Sequence, residues 1–283
     1  MATTASTWRV GDILVRRLEE SVATMAWDQL VPDAAGYVSS ERPWIDPYVS
    51  EDGQALLLSV HSFVVETPEN TIVIDTCIGP GQDGSLPGDA DFGGRIAQAF
   101  DDGPDIVDVV VCTHLHFDHV GWNTIERDGE IVPLFPNARY LVSEAELSLE
   151  RDAEDTAAYE RSIAPLDAAG LLDVVDSNHR IDRWVSLEST PGHTLGHVSV
   201  RLRDGDNEAL ITGDIAHSPI QLAYPNLSAS SDADPPLAVA TRQQVVAEAL
   251  DSSLLLLGTH FPPPTAGRLQ QTSAGVRFTA AEH

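Results

Sequence analysis

The chain is 283 residues long with a formal net charge of −28, and its 16 basic residues are all arginine. A field of that sign repels phosphate backbones, which sets nucleic acid aside as a partner. With 42% hydrophobic residues, no apolar stretch of membrane-spanning length and no export-signal pattern at Met1–Val10, the composition predicts a cytoplasmic globular protein with one α/β domain over residues 1–283 and no membrane partner.

Alternation of apolar and polar residues from Trp8 to Glu20 predicts a first strand. Residues 27–53 then turn irregular, with Pro32, Gly36, Pro43 and Pro47 punctuating Trp27, Tyr37, Trp44 and Tyr48. Such an arm either packs its rings on the body, roofs an active site or grips a second subunit, the last implying a homodimer. Gln54–Glu66 and Thr71–Ile78 read as a hairpin around Thr67-Pro68-Glu69-Asn70. Asp75 interrupts the second of these strands, where a carboxylate needs partners, from the histidine-rich loop at 113–119 or from the following turn. His61 reads as structural, and Cys77 and Cys112, both in apolar runs, as buried free thiols. The glycine-rich segment 79–93 lacks the spacing and lysine of a phosphate cradle, and Gly94–Phe100 reads as a short helix.

Ile106–Cys112 is a short β-branched run bounded by Gly103-Pro104, hence a buried strand. Directly after it comes Thr113-His114-Leu115-His116-Phe117-Asp118-His119. Three histidines and an aspartate within six positions have no easy packing explanation, because burying them unpaired costs several kcal/mol. As imidazole and carboxylate donors they suit zinc, iron or manganese. Downstream, Arg139–Val142 reads as a strand and Ser143–Tyr159 as a helix opened by a Ser143/Glu146 capping box. Leu171–Leu187 holds two short strands and leads to Pro191-Gly192-His193-Thr194-Leu195-Gly196-His197. Val198, Val200 and Leu202 alternate as a strand, and Ala209–Thr212 forms another that ends in Gly213-Asp214. Pro235–Leu250 reads as a helix and Leu254–Leu257 as a last core strand, followed at once by Gly258-Thr259-His260.

The motif His114-x-His116-x-Asp118-His119, followed by His193, Asp214 and His260, resembles the metallo-β-lactamase superfamily from about Gln54 to Gly267. The resemblance implies a four-layer αβ/βα sandwich and two metal ions, zinc with iron or manganese also suited. His114, His116 and His193 would hold the first ion and Asp118, His119 and His260 the second, with Asp214 bridging. Such a pair shares a hydroxide as nucleophile and polarises the substrate, and Asp118 would pass a proton to the leaving group. Asp75 and His197 match positions that lie behind the ligands. His217 stands near where related lactonases carry a substrate-binding tyrosine, and reads either as a substrate contact or as a structural histidine.

Among subfamilies, the missing export signal argues against secreted β-lactamases and the acidic charge against ribonucleases. The sequences around His114–Asn123 and Gly258–Pro263 resemble the quorum-quenching lactonase and organophosphate-hydrolase-like group, where Phe117, Trp122 and Phe261 would form an apolar pocket wall or else pack in the core. The expected reaction is opening of a lactone or another small carboxylic ester. The alternatives are cleavage of activated aryl esters, aryl ethers or phosphotriesters, and a non-catalytic ligand-binding role, against which the seven filled ligand positions argue.

Overall fold

The computed structural model describes residues 6–80, 88–100, 102–151 and 157–281. Its strands run, in chain order, β1 (Thr7–Val10), β2 (Ile13–Ala26), β3 (Ala55–Glu66), β4 (Thr71–Ile74), β5 (Val109–Val111), β6 (Thr124–Arg127), β7 (Glu130–Pro133), β8 (Arg139–Ser143) and β9 (Leu172–Val175). They continue with β10 (Val185–Ser189), β11 (Val198–Asp204), β12 (Asn207–Ile211), β13 (Leu255–Leu257), β14 (Ala266–Thr272) and β15 (Gly275–Ala280). One sheet has the order β1-β2-β3-β4-β5-β8-β9, a second β10-β11-β12-β13-β14-β15, and β6-β7 form a separate hairpin.

The layering follows from the apolar strands. Side chains alternate across a sheet, so Ile72, Ile74, Val109 and Val111 of the first sheet meet Val200, Ile211, Leu255 and Leu257 of the second in one buried cluster. Their neighbours Val73, Val110, Leu210 and Leu256 point the other way, into a cluster with helical residues. Those include Phe92 and Ile96 from the helix Phe92–Gln98, and Val245 and Ala249 from the helix Pro235–Ser252. Sheets buried on both faces need continuous apolar runs, and these strands supply them. The result is the expected αβ/βα sandwich.

Several local expectations are revised. The predicted strand Trp8–Glu20 is a hairpin, because Gly11 at φ +61° turns the chain so that Val10 pairs with Ile13. The strand from Thr71 stops at Ile74, since Asp75 and Cys77 both adopt positive φ. The capping box at Ser143 is half made. Glu146 donates its N–H to Ser143 Oγ (3.1 Å), but its carboxylate accepts from Leu115 N (3.0 Å) and Thr194 Oγ1 (2.7 Å) instead. The helix after Ser143 covers Glu144–Arg151 and resumes at Ala157–Ser162, with 152–156 outside the described residues. Hairpins β6-β7 and β14-β15 were not expected. Cys77 and Cys112 are buried and free.

The arm at 27–53 packs on its own chain through short helical turns that bury Trp27, Leu30, Ile45 and Tyr48. Glu41 fastens it, accepting from Trp44 Nε1 (2.7 Å), Tyr224 Oη (2.6 Å) and Arg277 Nη2 (2.8 Å). Among the described residues, no helix is long and apolar enough to cross a membrane.

Candidate metal centre

All seven candidate ligands lie at strand ends along one edge of the two sheets. The first loop leaves β5 and is held from below by Asp75, which accepts from Thr113 N (2.8 Å), Thr113 Oγ1 (2.8 Å) and His119 Nδ1 (2.9 Å). It closes with the helical turn Phe117–Val120 and Gly121, where a Cβ would stand 1.7 Å from the Ile78 carbonyl oxygen. Only glycine permits that approach. His193 sits in the loop before β11. Its neighbour Gly192 (φ +136°) touches the backbone of Ala238 so closely that a Cβ would lie 2.3 Å from it. Asp214 follows β12, and its N–H donates to His197 Nε2 (2.8 Å) while His197 Nδ1 donates to Thr190 O (3.0 Å). His260 follows β13 and donates from Nδ1 to Ser59 O (2.9 Å).

These outward hydrogen bonds decide which ring nitrogen faces the centre. His119, His193 and His260 each donate through Nδ1, to Asp75, Asp232 Oδ1 (3.3 Å) and Ser59 O respectively, so each presents a bare Nε2 inward. The Thr113 hydroxyl already donates to Asp75, so it accepts from His114 Nδ1 (3.2 Å) and leaves His114 Nε2 bare as well. His116 contributes Nδ1, 3.0 Å from both His114 Nε2 and His193 Nε2. One proton cannot serve three facing nitrogens. A cation can.

The spacing fits one. Donors about 2.0–2.1 Å from a tetrahedral zinc lie about 3.3 Å from each other, and the neighbouring inward atoms stand 3.0 to 3.9 Å apart. His260 Nε2 is 3.3 Å from His119 Nε2 and 3.6 Å from Asp118 Oδ2. Asp214 Oδ2 is reached by His217 at 3.1 Å, His260 at 3.2 Å, and His119 and His193 at 3.4 Å, while its other oxygen is buried without a hydrogen-bond partner. Four overlapping donor groups result, namely His114/His116/His193, His114/His119/Asp214, Asp118/His119/His260 and His193/Asp214/His217.

Without an ion, electrostatics split the rings into two groups. Burial pushes His114 well below its ordinary value, reinforced by His119 and His116. Burial and His193 bring His116 down to about 4. Neutral imidazole is the form that ligates. Burial alone would raise Asp214, but His260, His119 and His217 hold its carboxyl well below the carboxylate range. For His119 and His260 the carboxylates, chiefly Asp214, outweigh burial and raise the rings.

A cavity of about 270 Å³ opens onto these donors, with Met25, Leu30, Leu58 and Phe117 as apolar walls and Ser231 beside His193 and His217. His217 lies parallel to His260 (9°, centroids 5.5 Å apart), with Nδ1 buried and unpartnered. Two expected wall residues lie elsewhere. Beyond the tight turn at Gly121, Trp122 packs over Gly93 and donates Nε1 to Glu20 (2.9 Å), lining a different cleft. Phe261 is fully buried against Tyr48 and Phe278, away from the cavity. Sequence reasoning missed Leu30 and Met25 as walls, and Asp232 and Glu146 as supports. None of these carries a local signal, since an isolated leucine or aspartate looks the same in a loop anywhere.

Known proteins with similar features share this arrangement of sheets. A solved hydrolase named AbOPH, of the beta lactamase superfamily, superposes with a TM-score of 0.83 at 23% identity, covering 100% of this chain and 99% of that one. AidC, a dizinc quorum-quenching lactonase solved with a homoserine product, gives 0.78 at 19% identity, covering 99% and 98%. A probable metallo-hydrolase of Methanocaldococcus jannaschii is 29% identical over 101 residues, only 36% of this chain and 35% of that relative. The profile of the Metallo-beta-lactamase superfamily matches residues 55–260, a span that carries every one of the converging donors. The chain therefore belongs to the metallo-beta-lactamase superfamily.

Proposed function

We propose that the chain is a dinuclear zinc hydrolase that opens an uncharged lactone or cleaves another small carboxylic ester. His114, His116 and His193 would hold one ion, Asp118, His119 and His260 the other, and Asp214 would serve both. When bound, the two ions supply Lewis acidity and a water acidified toward neutral pH. The chain's own residues do the rest. Asp214 stays ionised among histidines, and Asp118, which lines the cavity, carries a proton from the entering water to the departing alkoxide oxygen. His217, whose ring lines the cavity, orients the substrate's ester group. Hydrolysis adds water oxygen to the acyl carbon and breaks the acyl C–O bond, so a lactone leaves as its hydroxy acid.

The observation that carries this reading is the cavity itself. Away from the donors its walls are apolar and, among the described residues, no arginine lines it, so no guanidinium there pairs with a charged substrate group, and the chain's −28 charge disfavours anions further. Its volume suits a short acyl chain. The ring of Phe117 in the wall favours a second reading, an activated aryl ester, aryl ether or aryl phosphotriester, held by stacking.

Initial rates on zinc-loaded protein, with chelator-treated protein as control, test both. Short-chain acyl-homoserine lactones are expected to be turned over fastest. Turnover confined to aryl substrates would transfer the assignment to the second reading, and preference for a carboxylate-bearing substrate would overturn the cavity argument. His217→Ala is expected to lower kcat/KM on the true substrate, and unchanged kcat/KM would return His217 to a structural role.

A further inference from the structure

Arg242 is the largest fully buried side chain described, at 0% exposure. Burying a guanidinium is costly unless every donor is met, and here the acceptors converge from three places. Nε donates to Ile215 O (2.5 Å), next to Asp214, and Nη1 donates to Pro225 O (3.0 Å) and Leu227 O (2.8 Å). Nη2 stands 3.5 Å from Asp232 Oδ2. That oxygen also accepts from Ala229 N (2.9 Å), while Asp232 Oδ1 faces His193 Nδ1 at 3.3 Å. The backbones on either side are stitched together, Ala233 N to His193 O (2.9 Å) and Asp234 N to Gly192 O (2.9 Å). From the same helix as Arg242, Thr241 Oγ1 donates to Pro191 O (2.6 Å).

We infer that the buried pair Arg242–Asp232 is a positioning unit for His193, fixing its tautomer and ring orientation and so tuning one half of the metal centre and not the other. The inference rests on the proposed metal centre. Asp232 Oδ2 accepts from Ala229 N–H and faces the Arg242 Nη2 group, which has no hydrogen-bond partner of its own, so that oxygen must remain an acceptor. The carboxylate then turns its remaining oxygen to His193, which can only answer with Nδ1–H. The ring is left with a bare Nε2 toward His116. The other half of the centre has separate supports, Asp75 for His119 and Ser59 O for His260, with no contact to Asp232.

Asp232→Asn exposes the logic. The amide oxygen must face Ala229 N–H and Arg242, which turns the NH2 toward His193 Nδ1. His193 must then accept there, carry its proton on Nε2 and lose its ligating lone pair. Stepwise competition with a chromogenic zinc chelator, on otherwise intact protein, reads each equivalent of zinc separately. Wild type is expected to bind two. Asp232→Asn should weaken one equivalent about 10–100-fold and leave the other within about threefold, the range typical of lost ligand supports. In a His193→Ala background the substitution should have no further effect, because the ring it acts through is gone. If Asp232→Asn fails to fold by circular dichroism, Asp232→Glu serves instead, since the longer side chain cannot meet Ala229 N–H and His193 Nδ1 in the same geometry, and the same equivalent should weaken. Equal weakening of both equivalents, no weakening, or an undiminished effect in the His193→Ala background would overturn the inference. Wild type that takes up no zinc would overturn the metal centre and this inference with it, a result distinct from the others.

Discussion

Asp75 offers the sharpest separation of stability from metal binding. Its carboxylate takes three buried hydrogen bonds, two from Thr113 and one from His119. Truncation to alanine orphans two buried groups, Thr113 N–H and His119 Nδ1, the latter left without a partner whichever ring nitrogen carries the proton. At about 1–3 kcal/mol for each buried unsatisfied group, that amounts to about 2–6 kcal/mol. Alanine also tolerates the φ of +56° less well than aspartate, which enlarges the loss. Asparagine keeps the shape and the acceptor for Thr113 N–H, but sets an NH2 against His119 Nδ1. The inexpensive escape is for His119 to move its proton to Nε2, which preserves the fold and removes the inward lone pair. Urea unfolding of chelator-treated protein should therefore show a large loss for Asp75→Ala and a loss below about 2 kcal/mol for Asp75→Asn. Zinc titration of Asp75→Asn should show one equivalent weakened about 10–100-fold. Wild-type zinc affinity in Asp75→Asn would refute the tautomer argument, and a fully stable Asp75→Ala would refute the hydrogen-bond arithmetic.

Further expectations concern the supports. In metal-free protein, burial holds His116 down to about 4 and His197 to about 3, and lowers His61, His114 and His217. Below the unfolded value near about 6.5 the unfolded chain takes up these protons first, so stability should fall with pH by about 1.4 kcal/mol per unit for each such ring. Glu20 and Glu146, raised by burial, act in the opposite sense, as do the raised rings of His119 and His260, whose effect is largely complete by about pH 6.5, and a flat urea midpoint between about pH 6.5 and pH 4.5 would refute the net sign. Gly192→Ala drives a Cβ into the Ala238 backbone and should cost at least about 1–3 kcal/mol while displacing His193, and an unchanged melting temperature would show that the loop yields freely. Glu146→Gln keeps an acceptor for Leu115 N–H and should be tolerated, whereas Glu146→Ala should cost about 1–3 kcal/mol; equal urea midpoints for the two would remove Glu146 as a clasp between the loops.

What the sequence revealed and what it hid have one physical cause. The ligands were legible because they cluster locally or sit directly past short apolar strands, where β5, β12 and β13 end at the same edge of the fold. Their supports were not legible. Asp232 earns its role only by facing a ring 39 positions away, and Arg242 lies on a helix where an arginine usually means solvent. Trp122 and Phe261 show the converse error, since closeness in sequence to a ligand does not place a side chain on the same side of the backbone. The hairpin at Gly11 was hidden because alternation continues through a two-residue turn without a break.

The converging donors come from both layers of the sandwich, the His114–His119 loop from the first sheet and His193, Asp214 and His260 from the second. Two ions held there would be cross-links as well as reagents, tying together segments from residue 114 to residue 260. A ligand that binds only the folded chain adds about 2.7 kcal/mol at a concentration 100 times its Kd. Scarce metal would then lower the stability of the folded protein as well as silencing it, through the join between its two sheets.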